Sequence, residues 1–184
     1  MRLEETNLKG LYTVIPEILE DHRGYFTEFF RSDYFKTKGV DATFIQQNIS
    51  VSKKGVIRGL HFQWEPPLGK LIRVTNGCIF AVAVDIRKQS PTLGKWFSLE
   101  LSQENKKGLY IPPGFAYGFC AQDDLSEVQY LYTAHYNSKG ESSILWNDPA
   151  LGIIWPIQNP ILSERDASAK TLGEWLSLPE SDCF

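Results

Sequence analysis

Short strand-like runs divided by turn residues dominate this sequence, and they confine the chain to a small set of β architectures. The runs are Leu11–Ile15, Tyr25–Phe30, Phe44–Val51, Val56–Phe62, Leu71–Val74, Ile79–Ile86, Trp96–Leu101, Gly108–Ile111, Glu127–Thr133 and Ser143–Trp146. Between them lie Asp21–Gly24, Lys53–Gly55, Pro66–Gly69, Asn76–Gly77, Ser90–Gly94, Pro112–Gly114 and Asn137–Gly140. These are turn formers, so the pattern predicts an all-β antiparallel sandwich or barrel. Helical periodicity is sparse. Ser32–Gly39 reads as a short helix closed by glycine, and Ser163–Leu176 as a longer one. Ser163 with Asp166 three residues on resembles a capping box. Nothing reads as a linker, so residues 1–184 are expected to form one domain. Its β core spans about 8–160 and its helical tail about 163–184.

With 184 residues the chain can bury a core without staples. The formal charge of −3 speaks against a nucleic-acid partner. No apolar run approaches the roughly 20 residues of a membrane span, and no apolar leader follows Met1, so a cytoplasmic protein is expected. Cys78, Cys120 and Cys183 form no CxxC pair, against both a disulfide framework and a cysteine-rich zinc site.

The stretch VIRGLHFQ, Val56–Gln63, carries the first chemical signal. Arg58 and His61 interrupt an otherwise apolar strand. They have opposite parity, so a regular strand would send them to opposite faces. Gly59 between them predicts a bulge that turns both into one pocket. Arg58 would favour a neutral imidazole, and histidine suits proton abstraction near neutrality. Lys70 opens the next run and could approach His61 across a hairpin. A metal site is the rival for this polar cluster, but HFQ places Gln63 where a His-x-His pair would have its second ligand. Tyr130, Tyr132 and Tyr136 share a parity and could present several phenols to one surface; a phenol is a fitting proton donor. Gln46 and Asn48 give Gln46–Ser50 unusual amide content. Arg23, Arg58 and Lys70 together would suit a diphosphate, although no Walker- or Rossmann-type glycine loop is present.

The stretches DHRGYFTEFF, FIQQNIS, GVIRGLHFQ, GKLIRV, AVDIRKQSPTLGKW, LSQEN, IPPGFAYGF, YNSKGESSILWNDPALGIIWP and LSERDA run almost end to end. In them the chain closely resembles the dTDP-4-dehydrorhamnose 3,5-epimerases. The resemblance implies a jelly-roll, cupin-like double-stranded β-helix, a homodimer, and no metal or organic cofactor. It implies epimerisation at carbons 3 and 5 of a nucleotide-linked 4-keto-6-deoxy sugar through an enolate. By the same resemblance His61 is the base, Asp166 the carboxylate that orients it, and Tyr130 the proton donor, with Tyr132 as the alternative. Lys70 would face the enolate oxygen. Arg58, Gln46, Asn48, Tyr117 and Tyr136 would bind substrate, and Arg23, Phe26 and Glu28 would reach the nucleotide from a partner subunit. The chain departs from the common family pattern at Tyr117 (often His), Ala81 (often Asp) and Leu131 (often Lys). A carbon-3-only epimerase, an epimerase of another nucleotide-linked keto sugar such as a GDP-heptose, and a non-catalytic sugar-binding cupin are the alternatives.

Overall fold

The computed structural model describes all 184 residues. Strands β1 (Arg2–Glu5), β2 (Tyr12–Ile15), β3 (Ile18–Asp21) and β4 (Gly24–Thr27) come first, followed by helix α1 (Ser32–Thr37). Next are β5 (Gln46–Ser52), β6 (Ile57–Gln63), β7 (Lys70–Asn76), β8 (Cys78–Asp85) and β9 (Trp96–Ser102). Strands β10 (Gly108–Ile111), β11 (Phe115–Ala121), β12 (Ser126–Tyr132) and β13 (Glu141–Ser143) complete the sheets. Helices α2 (Glu164–Ala167) and α3 (Leu172–Leu176) and a 3-10 turn at Pro179–Cys183 form the tail.

Two antiparallel sheets face each other in a jelly-roll, cupin-like sandwich. One runs β1-β2-β10-β7-β12-β5 and the other β13-β6-β11-β8-β9, while β3 and β4 form a separate hairpin. Strand alternation sorts the apolar side chains into layers. Ile79, Ala81 and Ala83 of β8 point inward and meet Ile72, Val74, Leu109 and Val128 of the opposite sheet. Val82 and Val84 of the same strand point outward, where Trp155, Leu172 and Trp175 cover them. The outer face of the larger sheet, with Val14, Leu71 and Tyr110, is covered by Phe35 of α1 and by Val40. Six residues are too few for an isolated helix to persist, so burial of Phe35 holds α1 in place. No helix is long and apolar enough to cross a membrane.

Two of the most distinctive motifs anchor loops. In VDIRKQSPT, fully buried Asp85 accepts two hydrogen bonds from the Arg87 guanidinium (2.8 and 2.7 Å) and one each from Ser90 and Thr92 (2.6 Å). Burial would raise its pKa, but these donors hold it below the usual carboxylate value. In LWNDPALGIIWP, buried Asp148 accepts the backbone N–H of Leu172 at 2.7 Å, and Trp155 donates to the Trp146 carbonyl at 2.8 Å. The first bond ties the C-terminal tail to the loop after β13, and the second braces that loop.

Several sequence expectations need correction. The long helix over Ser163–Leu176 is two short helices, because Lys170 leaves the helical path and accepts the Leu145 N–H at 2.7 Å. Thr171 and Glu174 then form a full capping box for α3. The run at Ser143–Trp146 shifts to Glu141–Ser143, with Ile144 making only an isolated bridge to Lys170. Strand β11 was not legible: each of its residues is buried, so it lacks the alternation of a half-exposed strand. Strands β1 and β3 also escaped, being short and, but for Leu3, exposed. Finally, Lys70 does not approach His61 across a hairpin, since β6 and β7 lie in opposite sheets.

Candidate active site

The irregularity at Gly59 builds the first wall of the site. Along β11, Tyr117 pairs with His61 and Phe119 with Arg58, so two steps on one strand oppose three on the other. The extra residue is the bulge, and it brings Arg58 and His61 to the same face. Gly59 has φ of +113°, and the Gly59–Leu60 peptide is cis. A Cβ at Gly59 would lie 2.6 Å from the Tyr117 carbonyl oxygen and 2.7 Å from the Gly118 Cα. Gly59→Ala is therefore expected to destabilise the fold by at least ~2 kcal/mol, visible as a lower denaturation midpoint. A wild-type midpoint would contradict this account of the bulge.

Arg58 and His61 line a cavity of about 650 Å³ together with Asn48, Ser50, Lys70, Tyr117, Tyr130, Tyr132 and Glu141. The cavity lies between the sheets. His61 and Tyr117 come from the smaller sheet, and Lys70, Tyr130, Tyr132 and the β5 residues from the larger.

Asp166 reaches His61 from helix α2. Its carboxylate lies 2.5 Å from His61 Nε2, and Asp166 is only 3% exposed. Burial would raise the Asp166 pKa, but the His61 hydrogen bond and charge, with help from Ser163, bring it below the ordinary value. The Ser163 hydroxyl accepts the Asp166 N–H at 3.1 Å, so the helix cap is real. The expected reciprocal box is not, because the Asp166 carboxylate turns to His61. With Nε2 donating to that carboxylate, Nδ1 is left as the basic nitrogen.

Lys70 and the tyrosines supply the opposite wall. The Lys70 ammonium donates to the His61 carbonyl at 3.3 Å, bridging the sheets, and sits over the rings of Tyr117 (5.7 Å) and Tyr132 (5.8 Å). Burial pushes its pKa down to about 8, opposed by the Glu141 carboxylate and reinforced by Arg165. The Tyr130 hydroxyl is 2.9 Å from the Ser50 hydroxyl. Burial raises its pKa, against the Ser50 hydrogen bond, so it remains a neutral donor near pH 7. Tyr132 is raised in the same way. The Tyr117 hydroxyl is buried with no hydrogen-bond partner.

The remaining expected site residues divide. Arg58 lines the cavity and is held by Ser52 (2.9 Å) and the Val51 carbonyl (3.2 Å). Asn48 lines it as well, accepting from Gln46 at 3.1 Å. Gln46 and Tyr136 flank the cavity: Gln46 accepts the Tyr136 N–H, and the Tyr136 hydroxyl donates to Glu141 at 2.9 Å. Arg23, Phe26 and Glu28 do not line the cavity of their own chain. They lie on or just after the exposed β3–β4 hairpin, where Arg23 pairs with Asp21 at 2.6 Å and Glu28 with Arg31 at 3.6 Å. Gln63 directs its amide to the carbonyls of Pro66 and His135 and to the Asn137 N–H. No three His, Cys, Asp or Glu side chains converge on one point. Glu141 was missed in the sequence, since GESS shows no periodicity that places it beside Lys70. Ser50 was missed too, although the alternation of β5 could have shown that it shares a face with Asn48.

A His–Asp pair on one wall and neutral phenols beside an ammonium on the other can remove a proton from one side of a ligand and return one from the other side. Residues 5–174 match the profile of the family described as dTDP-4-dehydrorhamnose 3,5-epimerase. Two proteins of that name are each 46% identical to this chain. The one from Neisseria gonorrhoeae aligns with 100% of the chain, which spans 57% of that relative's length. The one from Methanothermobacter thermautotrophicus aligns over 94% of this chain and 95% of its own. The crystal structure of the dTDP-6-deoxy-D-glucose-3,5-epimerase from Legionella pneumophila, in complex with dTDP-4-keto-L-rhamnose, superimposes with a TM-score of 0.90. It is 41% identical and covers 94% of this chain and 93% of its own. Sequence and fold agree, and the chain belongs to the dTDP-4-dehydrorhamnose 3,5-epimerase family.

Proposed function

We propose that the cavity inverts carbons 3 and 5 of a dTDP-linked 4-keto-6-deoxy sugar, with His61 as base, Asp166 as its orienting carboxylate, Tyr130 as acid and Lys70 beside the enolate oxygen. The observation that carries this reading is the placement of His61 and Tyr130 on facing sheets around one cavity. The ketone at carbon 4 acidifies the protons on both neighbouring carbons. His61 takes one proton, and the C–H electron pair moves into an enolate whose negative oxygen is stabilised by the Lys70 ammonium. Tyr130 then delivers a proton to the opposite ring face, and the ketone re-forms. A second round at the other carbon completes the product, with no net redox change. Arg58 is suited to the diphosphate, and Asn48 and Gln46 to hydroxyl or base contacts.

Incubation of dTDP-4-keto-6-deoxyglucose with the enzyme in D2O tests this. Deuterium is expected at carbons 3 and 5 of the product. Deuterium at carbon 3 alone would reduce the assignment to a single epimerisation, and no exchange would sink it.

The tail and the β core are proposed to act as one unit, because Asp166 and His61 come from the two parts. A homodimer is also proposed. It is supported by the exposed apolar side chains Leu19 and Phe26 on the hairpin and Ile49 and Val51 on edge strand β5. In a dimer the hairpin could carry Arg23, Phe26 and Glu28 to the other subunit's nucleotide. Sedimentation is expected to give twice the chain mass, and a fully active monomer would refute the dimer.

A further inference from the structure

Edge strand β5 presents alternate polar side chains to the site as a ladder. Ser52 holds the Arg58 guanidinium at 2.9 Å, Ser50 contacts the Tyr130 hydroxyl at 2.9 Å, and Gln46 accepts the Tyr136 N–H at 2.9 Å. The side chains that alternate with them, Gln47, Ile49 and Val51, are exposed. Ser50 lies opposite Val128 in the pairing with β12, and Tyr130 opposite Asn48, so the Ser50–Tyr130 bond runs along a diagonal of the ladder. No other side chain or backbone group bonds to the Tyr130 hydroxyl.

We propose that Ser50 is a positioning residue for Tyr130: its hydroxyl aims the phenol at the sugar and donates a hydrogen bond to the phenolate formed on proton delivery. The proposal rests on the acid role assigned to Tyr130 above. The residue type matters. A carbonyl or carboxylate at this place could only accept, and would hold the phenolic proton away from the substrate. A serine hydroxyl can rotate from acceptor to donor and release that proton. In the step itself, the enolate electron pair forms the new C–H bond with the phenolic hydrogen. The carbonyl re-forms, and the O–H electrons stay on the Tyr130 oxygen. A phenolate at this site is costly because Tyr130 is only 8% exposed, and a donated hydrogen bond to the anion offsets part of that cost. Water later returns a proton to Tyr130 and accepts the one held by His61, so protons balance over the cycle.

The test compares Ser50→Ala and Ser50→Thr with wild type, each also in a Tyr130→Phe background. Inversion and deuterium uptake from D2O are followed by NMR. Ser50→Ala is expected to lower kcat for inversion about 10- to 100-fold, the worth of one hydrogen bond to a charged acceptor, with KM little changed. Deuterium exchange through His61 should fall much less. Ser50→Thr keeps a hydroxyl on a strand-compatible side chain and should restore most of the rate. In the Tyr130→Phe background Ser50→Ala should have no further effect. Four results would overturn the proposal: wild-type inversion in Ser50→Ala, an effect on KM alone, equal loss of exchange and inversion, or the same fold-loss with Tyr130 absent. If Tyr130→Phe alone inverts at the wild-type rate, the acid assignment falls first and this proposal falls with it, a failure read without any change at Ser50.

Discussion

His61→Ala is expected to abolish both epimerisation and deuterium incorporation, with kcat lower by about 10²- to 10⁴-fold, the usual contribution of a positioned base. No other imidazole lines the cavity to take its place. The variant also leaves the Asp166 carboxylate, 3% exposed, without its partner at Nε2. An uncompensated buried charge is destabilising, so a modest fall in denaturation midpoint should accompany the loss of activity. Binding of the dTDP moiety should survive, because Arg58 and the β5 amides are untouched. Deuterium uptake at the wild-type rate in this variant would remove His61 from the mechanism.

Tyr130→Phe is expected to separate the two halves of the reaction. The phenylalanine keeps the packing against Tyr117 and Tyr132, whose ring centroids lie 6.5 and 6.1 Å away, so the fold should hold. Without the hydroxyl, the enolate can regain its proton only from the His61 side. Deuterium then enters the substrate with retention, while inversion drops by about 10²- to 10⁴-fold. NMR of the sugar protons in D2O distinguishes retained from inverted label. Tyr132→Phe is the contrast: its hydroxyl lines the same cavity but lacks the bond to Ser50, and inversion should persist. Full inversion in Tyr130→Phe together with its loss in Tyr132→Phe would move the acid role two residues along β12.

Much of the fold was legible because its strands are short, alternate in polarity and are separated by glycine, proline and asparagine turns. Strand β10 is the clear case: Gly108–Ile111 falls where the sequence places it. Strand β11 is the opposite case, since Phe115–Ala121 is buried at every position and carries no periodic signal. The tail misled for a different reason. Ser163–Leu176 has helical composition throughout, yet the parallel bridge between Lys170 and Ile144 outweighs that local preference and divides the segment.

The site shows the same division more sharply. Parity in VIRGLHFQ was enough to show that Arg58 and His61 could share a face only through an irregularity, and Gly59 marked where it falls. That much belongs to the sequence, because side-chain parity along a strand is set by residue spacing alone. Which groups meet there was decided by the tertiary structure. Asp166 reaches His61 from 105 residues away because Asp148 and the tryptophans dock the tail on the smaller sheet. Lys70 and Tyr130 arrive on the opposing sheet, which no hairpin rule foretells. Burial then pushes the Lys70 ammonium down to about 8 and raises the Tyr130 phenol, and burial exists only once the two sheets have closed on each other.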